Sequence, residues 1–444
     1  MSLSSPLLTS LFVLAFVYFF LITEKINKVI ITGLGAGALI LLQIFATSEA
    51  TSEEVAFHFI SKNLDILGFI MGMMILIGIV KESGAFEAIA IWLVKIVKGN
   101  PQKLLAAIGA LTLIMTIFLS NIPTILILTP VLLVLIRELK LPHFPFFFVM
   151  ITLGNIGGAT TPISDPTTYY QAKTVGLNFL EVVSNSGVIV LLLFAVTTIY
   201  TQIVFRKQLK KVEINESDIA NFDPKSAIKD KKILFFGVPL LILAIIVMST
   251  KELITNNFHV SLDNAVILLT ASFIAMLLFK IDTKKVFQEI IDWEIIFFFM
   301  GLFIIIGALE HQGVIAAIGK GLISVTNGNL IGLLLLITLG SGILSMFIDN
   351  VPYNIAMVGA IMVMGQDGIF VYPLWWALNL GTSLGGAGSP IGAACNVVAL
   401  GQADKEGFHS KFSNYLKYGF PLVVINAIIT FGFLYAKYGS QIHP

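Results

Sequence analysis

The chain has 444 residues, 57% of them hydrophobic and 12% charged, with a formal net charge of +1. A soluble domain carries about 25% charged residues, so this composition excludes an ordinary water-soluble fold, and the lack of a basic patch excludes nucleic acid as a partner. A single cysteine, Cys395, rules out an intrachain disulfide. Apolar runs long enough to cross a bilayer, roughly 17 to 25 residues, predict spans over 7–23, 28–46 and 64–81. The first is read as a retained span, because Leu7 to Ile22 lacks a basic lead-in and a small-residue cleavage site. An amphipathic stretch follows at 84–98, then an apolar pair, 103–119 and 122–137, joined at Ser120-Asn121-Ile122-Pro123. The next span, 144–170, is broken by Gly157-Gly158-Ala159-Thr160-Thr161-Pro162-Ile163-Ser164-Asp165-Pro166, and 187–204 completes the first half.

The second half predicts spans at 233–250, 263–279 and 293–310 and an amphipathic stretch at 313–326. A second apolar pair, 331–348 and 351–364, is joined at Asp349-Asn350-Val351-Pro352. A broken span at 372–402, interrupted by Gly385-Gly386-Ala387-Gly388-Ser389-Pro390-Ile391-Gly392-Ala393, and a final span at 418–436 follow. Corresponding breaks lie 228 or 229 residues apart, and 63–100 matches 292–329 without a gap at 13 of 38 positions. The matches include Gly72/Gly301, Gly78/Gly307, Gly84/Gly313 and Gly99-Asn100/Gly328-Asn329. The chain is therefore read as two repeats, 1–205 and 233–444, around an aqueous linker, 206–232.

The linker carries eight Lys/Arg and is expected on the cytoplasmic side. With each apolar pair as a re-entrant hairpin, each half crosses five times, so the repeats are inverted in the membrane. Lys25/Lys28, Lys81/Lys95/Lys98, Arg137/Lys140 and Lys280/Lys284/Lys285 then fall inside and an acidic Glu49/Glu53/Glu54 loop outside; Lys173 and Lys320 are exceptions. The expected fold is all-α and polytopic, with about ten transmembrane helices, two re-entrant helical hairpins and broken helices at the binding site.

A broken membrane helix leaves backbone groups without partners, which hydrocarbon does not tolerate. Breaks in matching places of two repeats point to the binding site of a secondary transporter. At the tips, Asn121 and Asn350 are expected to cap the second hairpin helix, with Pro123 and Pro352 in its first turn. The Gly-Gly stretches allow close approach of backbone to a ligand. Asp165 and Asp349 are the sharpest candidates, since a carboxylate in the bilayer costs roughly 2.5 to 3.5 kcal/mol. They can bind a cation, exchange a proton, accept hydrogen bonds from a neutral hydroxylated solute, or simply cap helices. Neither has a counterpart in the other repeat, where Ser120 and Ala393 stand. Lys81, Glu82, Glu310 and His311 read as membrane-edge anchors, and Tyr372, Trp375 and Trp376 as an aromatic belt. Gly381-Thr382-Ser383-Leu384-Gly385 matches a hydrolase nucleophile pattern, but His58, His143, His259, His311, His409 and His443 all fall at span edges or in loops. A membrane-embedded serine hydrolase is the remote alternative. No Cys/His metal motif and no P-loop is present, so the chain is not expected to be an enzyme, a resident-metal protein or a self-contained ATP-driven pump.

The stretches Asn155 to Pro166, Asp349 to Pro352 and Leu384 to Val398 resemble the arsenite permease/NhaD sodium–proton antiporter group of the ion transporter superfamily, over nearly the whole chain. That group is related to divalent anion:sodium symporters with a citrate transporter-like domain, which carry Ser-Asn-Thr at both tips; here the tips read Ser120-Asn121-Ile122 and Asp349-Asn350-Val351. The resemblance implies ten spans plus two hairpins, a homodimer and elevator-like alternating access around sites at the tips. The expected location is the bacterial plasma membrane. It places Ser120, Asn121, Asn155, Gly157, Gly158, Thr160, Thr161 and Asp165 in one half-site. Asp349, Asn350, Ser383, Gly385, Gly386, Ser389 and Asn396 form the other. The expected activity is secondary transport of a small inorganic ion or solute, with Na+ or H+ as coupling ion and no other cofactor. Because Asp349 repels a dicarboxylate, cation/proton antiport or arsenite efflux ranks above di- or tricarboxylate transport.

Overall fold

The computed structural model describes residues 5–23, 26–46, 50–97, 100–212, 214, 223–258 and 262–442. Lys25, Glu49, Lys98, Gly99, His259, His443 and linker positions 213 and 215–222 lie outside them. Among the described residues the fold is helical, without a strand. The first half comprises α1 (Ser5–Thr23), α2 (Lys28–Leu41), α3 (Ser52–Ser61), α4 (Leu64–Lys81) and α5 (Ala85–Ile96). It continues with α6 (Pro101–Leu119), α7 (Asn121–Glu138), α8 (His143–Gly157), α9 (Pro166–Val175) and α10 (Val188–Val204). The second half comprises α11 (Val238–Phe258), α12 (Asn264–Phe279), α13 (Trp293–His311) and α14 (Val314–Thr326). After these come α15 (Leu330–Leu344), α16 (Asn350–Gln366), α17 (Tyr372–Gly386), α18 (Ala394–Lys405) and α19 (Phe412–Ile442). Among the described residues, seven helical stretches are long and apolar enough to cross a membrane, with shorter apolar helices between them. The chain is thus a polytopic membrane protein.

The residues that repeat in sequence occupy the same structural positions. Gly84 and Gly313 precede α5 and α14 in the left-handed region, at φ 74° and 73°, where a side chain is strained. Asn100 and Asn329 cap α6 and α15, each accepting from a backbone N–H three residues on. Contacts between helices also repeat with the halves exchanged. α4 packs on α12 as α13 packs on α2, α6 on α8 as α15 on α17, and α7 on α18 as α16 on α9.

The acidic stretch before the third span differs from expectation. Glu53 and Glu54 belong to α3, a helix started by a capping box between Thr51 and Glu54 and packed against α13. Trp375 and Trp376 are not a belt; both are buried within α17, at 6% and 0% exposure. Lys173 breaks the expected charge pattern without exposing a lone charge, because Asp65 and Asp263 hold its ammonium at 2.6 and 2.7 Å.

The end of the linker is docked rather than loose. Lys229 N–H donates to the Ser83 carbonyl at 2.9 Å, and a Cβ on Gly84 would lie 1.8 Å from the Ala227 carbonyl oxygen. Gly176 has the same φ, 74°, with nothing within 4 Å of a Cβ. Gly176→Ala should therefore cost only backbone strain, about 1 to 2 kcal/mol, whereas Gly84→Ala should add displacement of the linker. Thermal melting with limited proteolysis checks this: Gly84→Ala should melt lower and be cut faster within the linker.

Candidate functional site

Two tips and two broken loops meet inside the bundle. The tips are buried, with Asn121 and Asn350 only 3% and 4% exposed, so each helix pair turns back within the protein. Ser120 takes φ 73°, ψ 160°, a conformation that is costly without glycine and that clusters at functional sites. The tip is fixed to the first broken loop by Asn121 N–H donating to the Ser164 carbonyl at 3.2 Å.

Asp165 sits where both tips converge. Its Oδ1 caps α9, accepting from Thr167 N–H at 2.8 Å and Thr167 Oγ1 at 2.7 Å. Its Oδ2 accepts from Asn121 Nδ2 of the first tip at 2.6 Å and lies 3.5 Å from Asn350 Nδ2 of the second. One carboxylate, 2% exposed, therefore spans both halves. Capping and site chemistry are not alternatives here, since the two oxygens divide those tasks.

The N-cap positions fall one residue before the tip asparagines, at Ser120 and Asp349. Asp349 Oδ1 accepts from Val351 N–H at 3.2 Å, whereas Ser120 makes no capping bond and Asn121 Oδ1 itself accepts from Ile122 N–H at 2.8 Å. The Nδ2 groups of both asparagines are left to face Asp165. Asp349 is not a lone charge either. Lys28, the first residue of α2, places its ammonium 2.7 Å from Asp349 Oδ2, with side-chain exposures of 25% and 8%. The repulsion of a dicarboxylate expected from Asp349 is therefore largely cancelled.

A cavity of about 960 Å3 runs from the face carrying the linker down to these tips. Its floor includes Ser120, Asn121, Asp165, Asp349, Asn350 and Cys395, and its rim includes Lys81, Glu82 and Lys229. Lys81 and Glu82 are thus cavity residues as well as span ends. Among the described lining residues, seven carboxylates (Glu82, Glu87, Asp165, Glu289, Asp292, Glu294, Asp349) face four lysines (Lys28, Lys81, Lys229, Lys285). Glu82 and Lys285 are paired with each other.

The remaining sequence candidates hold the loops in place behind this floor. Gly158 carbonyl accepts from Thr168 Oγ1 at 2.8 Å, and its counterpart Gly386 carbonyl accepts from Asn396 Nδ2 at 2.6 Å. Asn396 also bonds the Ser389 carbonyl at 2.8 Å and receives Asn155 Nδ2 at 2.8 Å, which ties the two broken segments together. Gly157 packs on Thr116, Gly385 on Ser345 and Gly386 against Asn155 Oδ1. Thr161 and Ser389 hydroxyls bond the Ile117 and Met346 carbonyls. Thr160 and Ser383 are buried, with hydroxyls that have no partner in the protein among the described residues. Asn379 of α17 was not singled out by sequence; it donates to the Ala159 carbonyl at 3.0 Å and accepts from Thr168 Oγ1 at 2.8 Å. Lys28 was also missed as a site residue. A polar residue inside an apolar helix was the available signal for Asn379, whereas the pairing of Lys28 with a residue 321 positions away left none.

A citrate transporter family model (CitMHS) matches residues 18–381. An uncharacterized transporter of Mycobacterium tuberculosis is 27% identical over 99% of this chain and 100% of its own length. An uncharacterized transporter of Synechocystis is 26% identical over 96% of each. The P protein of Sus scrofa is 24% identical over 94% of this chain, which spans 58% of that longer protein. The buried convergence of tips and loops at a membrane cavity and the match over most of the length lead to one conclusion: the chain is a membrane transporter belonging to the citrate transporter (CitMHS) family.

Proposed function

We propose that the chain is a secondary active transporter of a small cation or inorganic solute, by sodium–proton antiport or arsenite-type efflux, with Asp165 as the coupling carboxylate and Asp349 as its tip partner. The observation that carries this reading is Asp165 itself: a buried carboxylate at the cavity floor, hydrogen-bonded within reach of both tips. A group so placed responds to a bound cation or proton and transmits the change to both halves. The excess of carboxylates over lysines in the cavity favours a cation or a neutral hydroxylated solute over a trivalent anion. The exchange of helix contacts between halves supports two inverted repeats, 1–205 and 233–444, moving in an elevator-like way about a cytoplasmic linker at 206–232. On that orientation the cavity is open to the cytoplasm. The unpaired apolar surface is left to lipid and to a second copy of the chain.

Transport in proteoliposomes under an imposed pH gradient tests this. Sodium or lithium should dissipate the gradient, or arsenite should be carried, with citrate and succinate inert. A second reading, sodium- or proton-coupled di- or tricarboxylate transport, is favoured by the Lys28–Asp349 pair, which removes the negative charge at one tip, and by the family's name. Uptake of labelled citrate without response to arsenite or a sodium-driven proton flux would establish it in place of the first.

A further inference from the structure

On α9, Asp165, Tyr169 and Lys173 recur at four-residue spacing and so share one face. Asp165 lies at the cavity floor. One turn further from it, the Tyr169 ring stacks on Phe69 of α4, with centroids 3.6 Å apart and planes within 6°. Another turn on, Lys173 bridges Asp65, in the first turn of α4, and Asp263, the N-cap of α12. Phe69 also lines the cavity, and both stacked rings are buried, at 2% and 1% exposure. The cavity is therefore closed toward the face opposite the linker by an aromatic layer and then an ionic layer, both made between α9 and the α4–α12 pair.

The repeat supplies the same elements on the linker face, where the cavity lies open between them. At an offset of 229, Phe69 corresponds to Phe298 and Asp65 to Glu294, while Tyr169 corresponds to Val397 or Val398 of α18. All four line the open cavity. The counterpart of the Asp263 cap is Asn27, the cap of α2, whose amide donates to Glu294 Oε2 at 3.2 Å. The position matching Lys173 falls at Gly401 or Gln402, so the ionic layer has no lysine counterpart.

We propose that Tyr169–Phe69 and Lys173–Asp65–Asp263 form the gate on the far face, that the path to that face runs along this side of α9, and that the one-sided ionic layer holds the resting transporter open toward the linker. Exposed ion pairs add little to overall stability. A tie made in one state only acts differently, because its whole strength shifts the balance between states. This gate rests on the proposed alternating access between two faces and is the same whichever solute is carried.

The test uses the full-length protein in oriented vesicles, with Cys395→Ala and a reporter cysteine at Val397→Cys on the cavity wall. Its rate of modification by a membrane-impermeant maleimide is read from the linker side. Lys173→Gln should slow modification by about fivefold, Lys173→Arg should leave it unchanged, and Asp65→Asn/Asp263→Asn should slow it as Lys173→Gln does. Equal rates in Lys173→Gln and Lys173→Arg would overturn the proposal. If Lys173→Gln does not fold, an unchanged rate in the double asparagine variant overturns it instead.

Discussion

Asp165→Asn should abolish coupled transport, by at least about a hundredfold, while the protein still folds. The substitution keeps an oxygen for the cap at Thr167 but turns an amide toward Asn121 Nδ2, which now donates to Asp165 at 2.6 Å. Two facing donors cost about 1 to 3 kcal/mol, enough to lower the melting temperature without unfolding the chain. A second variant separates bonding from charge. In Asn121→Asp/Asp165→Asn, the carboxylate moves to the tip and the donor to the loop, so a hydrogen bond can form in the reverse sense. Thermal melting should recover in the swap, whereas transport in proteoliposomes should not. Recovered transport would show that the bond between tip and loop suffices, and that the charge at residue 165 is not the coupling group.

Lys28→Met should have the next largest effect. It strands the Asp349 carboxylate, 8% exposed, without the Lys28 ammonium that pairs with it, and a buried hydrogen-bonded charge left alone costs roughly 2 to 4 kcal/mol. Part of that is relieved by the cap to Val351 N–H and by the adjoining cavity. Asp349→Asn should cost less, because an uncharged amide still caps α16 and Lys28 can extend into the cavity. The pair Lys28→Met/Asp349→Asn should therefore melt above Lys28→Met alone. A double variant that melts below Lys28→Met by the full cost of Asp349→Asn would show the two residues to be energetically independent.

Local chemistry made much of this architecture legible. Gly-Gly and Pro at 157–166 and 385–393 stop helices by backbone geometry alone, and the breaks fall there. The repeat was readable because Gly84/Gly313 and Asn100/Asn329 are kept by left-handed and capping positions that few other residues fill. Helix α3 was missed although Thr51 and Glu54 spell a capping box, because its acidic residues resemble a solvated loop. The partners of Asp165 and Asp349 were a different matter. Asn350 lies 185 residues from Asp165 and Lys28 lies 321 from Asp349, and pairings at that range are set by how helices dock. The same distance explains why Asp349 read as a bare charge and why Lys28 read only as an interfacial lysine. The clamps behind the floor, such as Asn396 on Gly386, looked like ligand-binding groups because a polar side chain beside a break serves a ligand and a loop carbonyl equally well.

The exchange of helix contacts between the halves has an energetic meaning. In a chain whose halves were identical, trading their roles would give a second arrangement of equal free energy, so both would be equally populated by construction. Two conformations then come from one architecture, and no separate fold is needed for the second. Departure from identity lifts this degeneracy. On the proposed alternating-access reading, the shared glycines and asparagines keep two states available, and the unshared residues, Lys173 and the Lys28–Asp349 pair among them, set how much of each is occupied at rest.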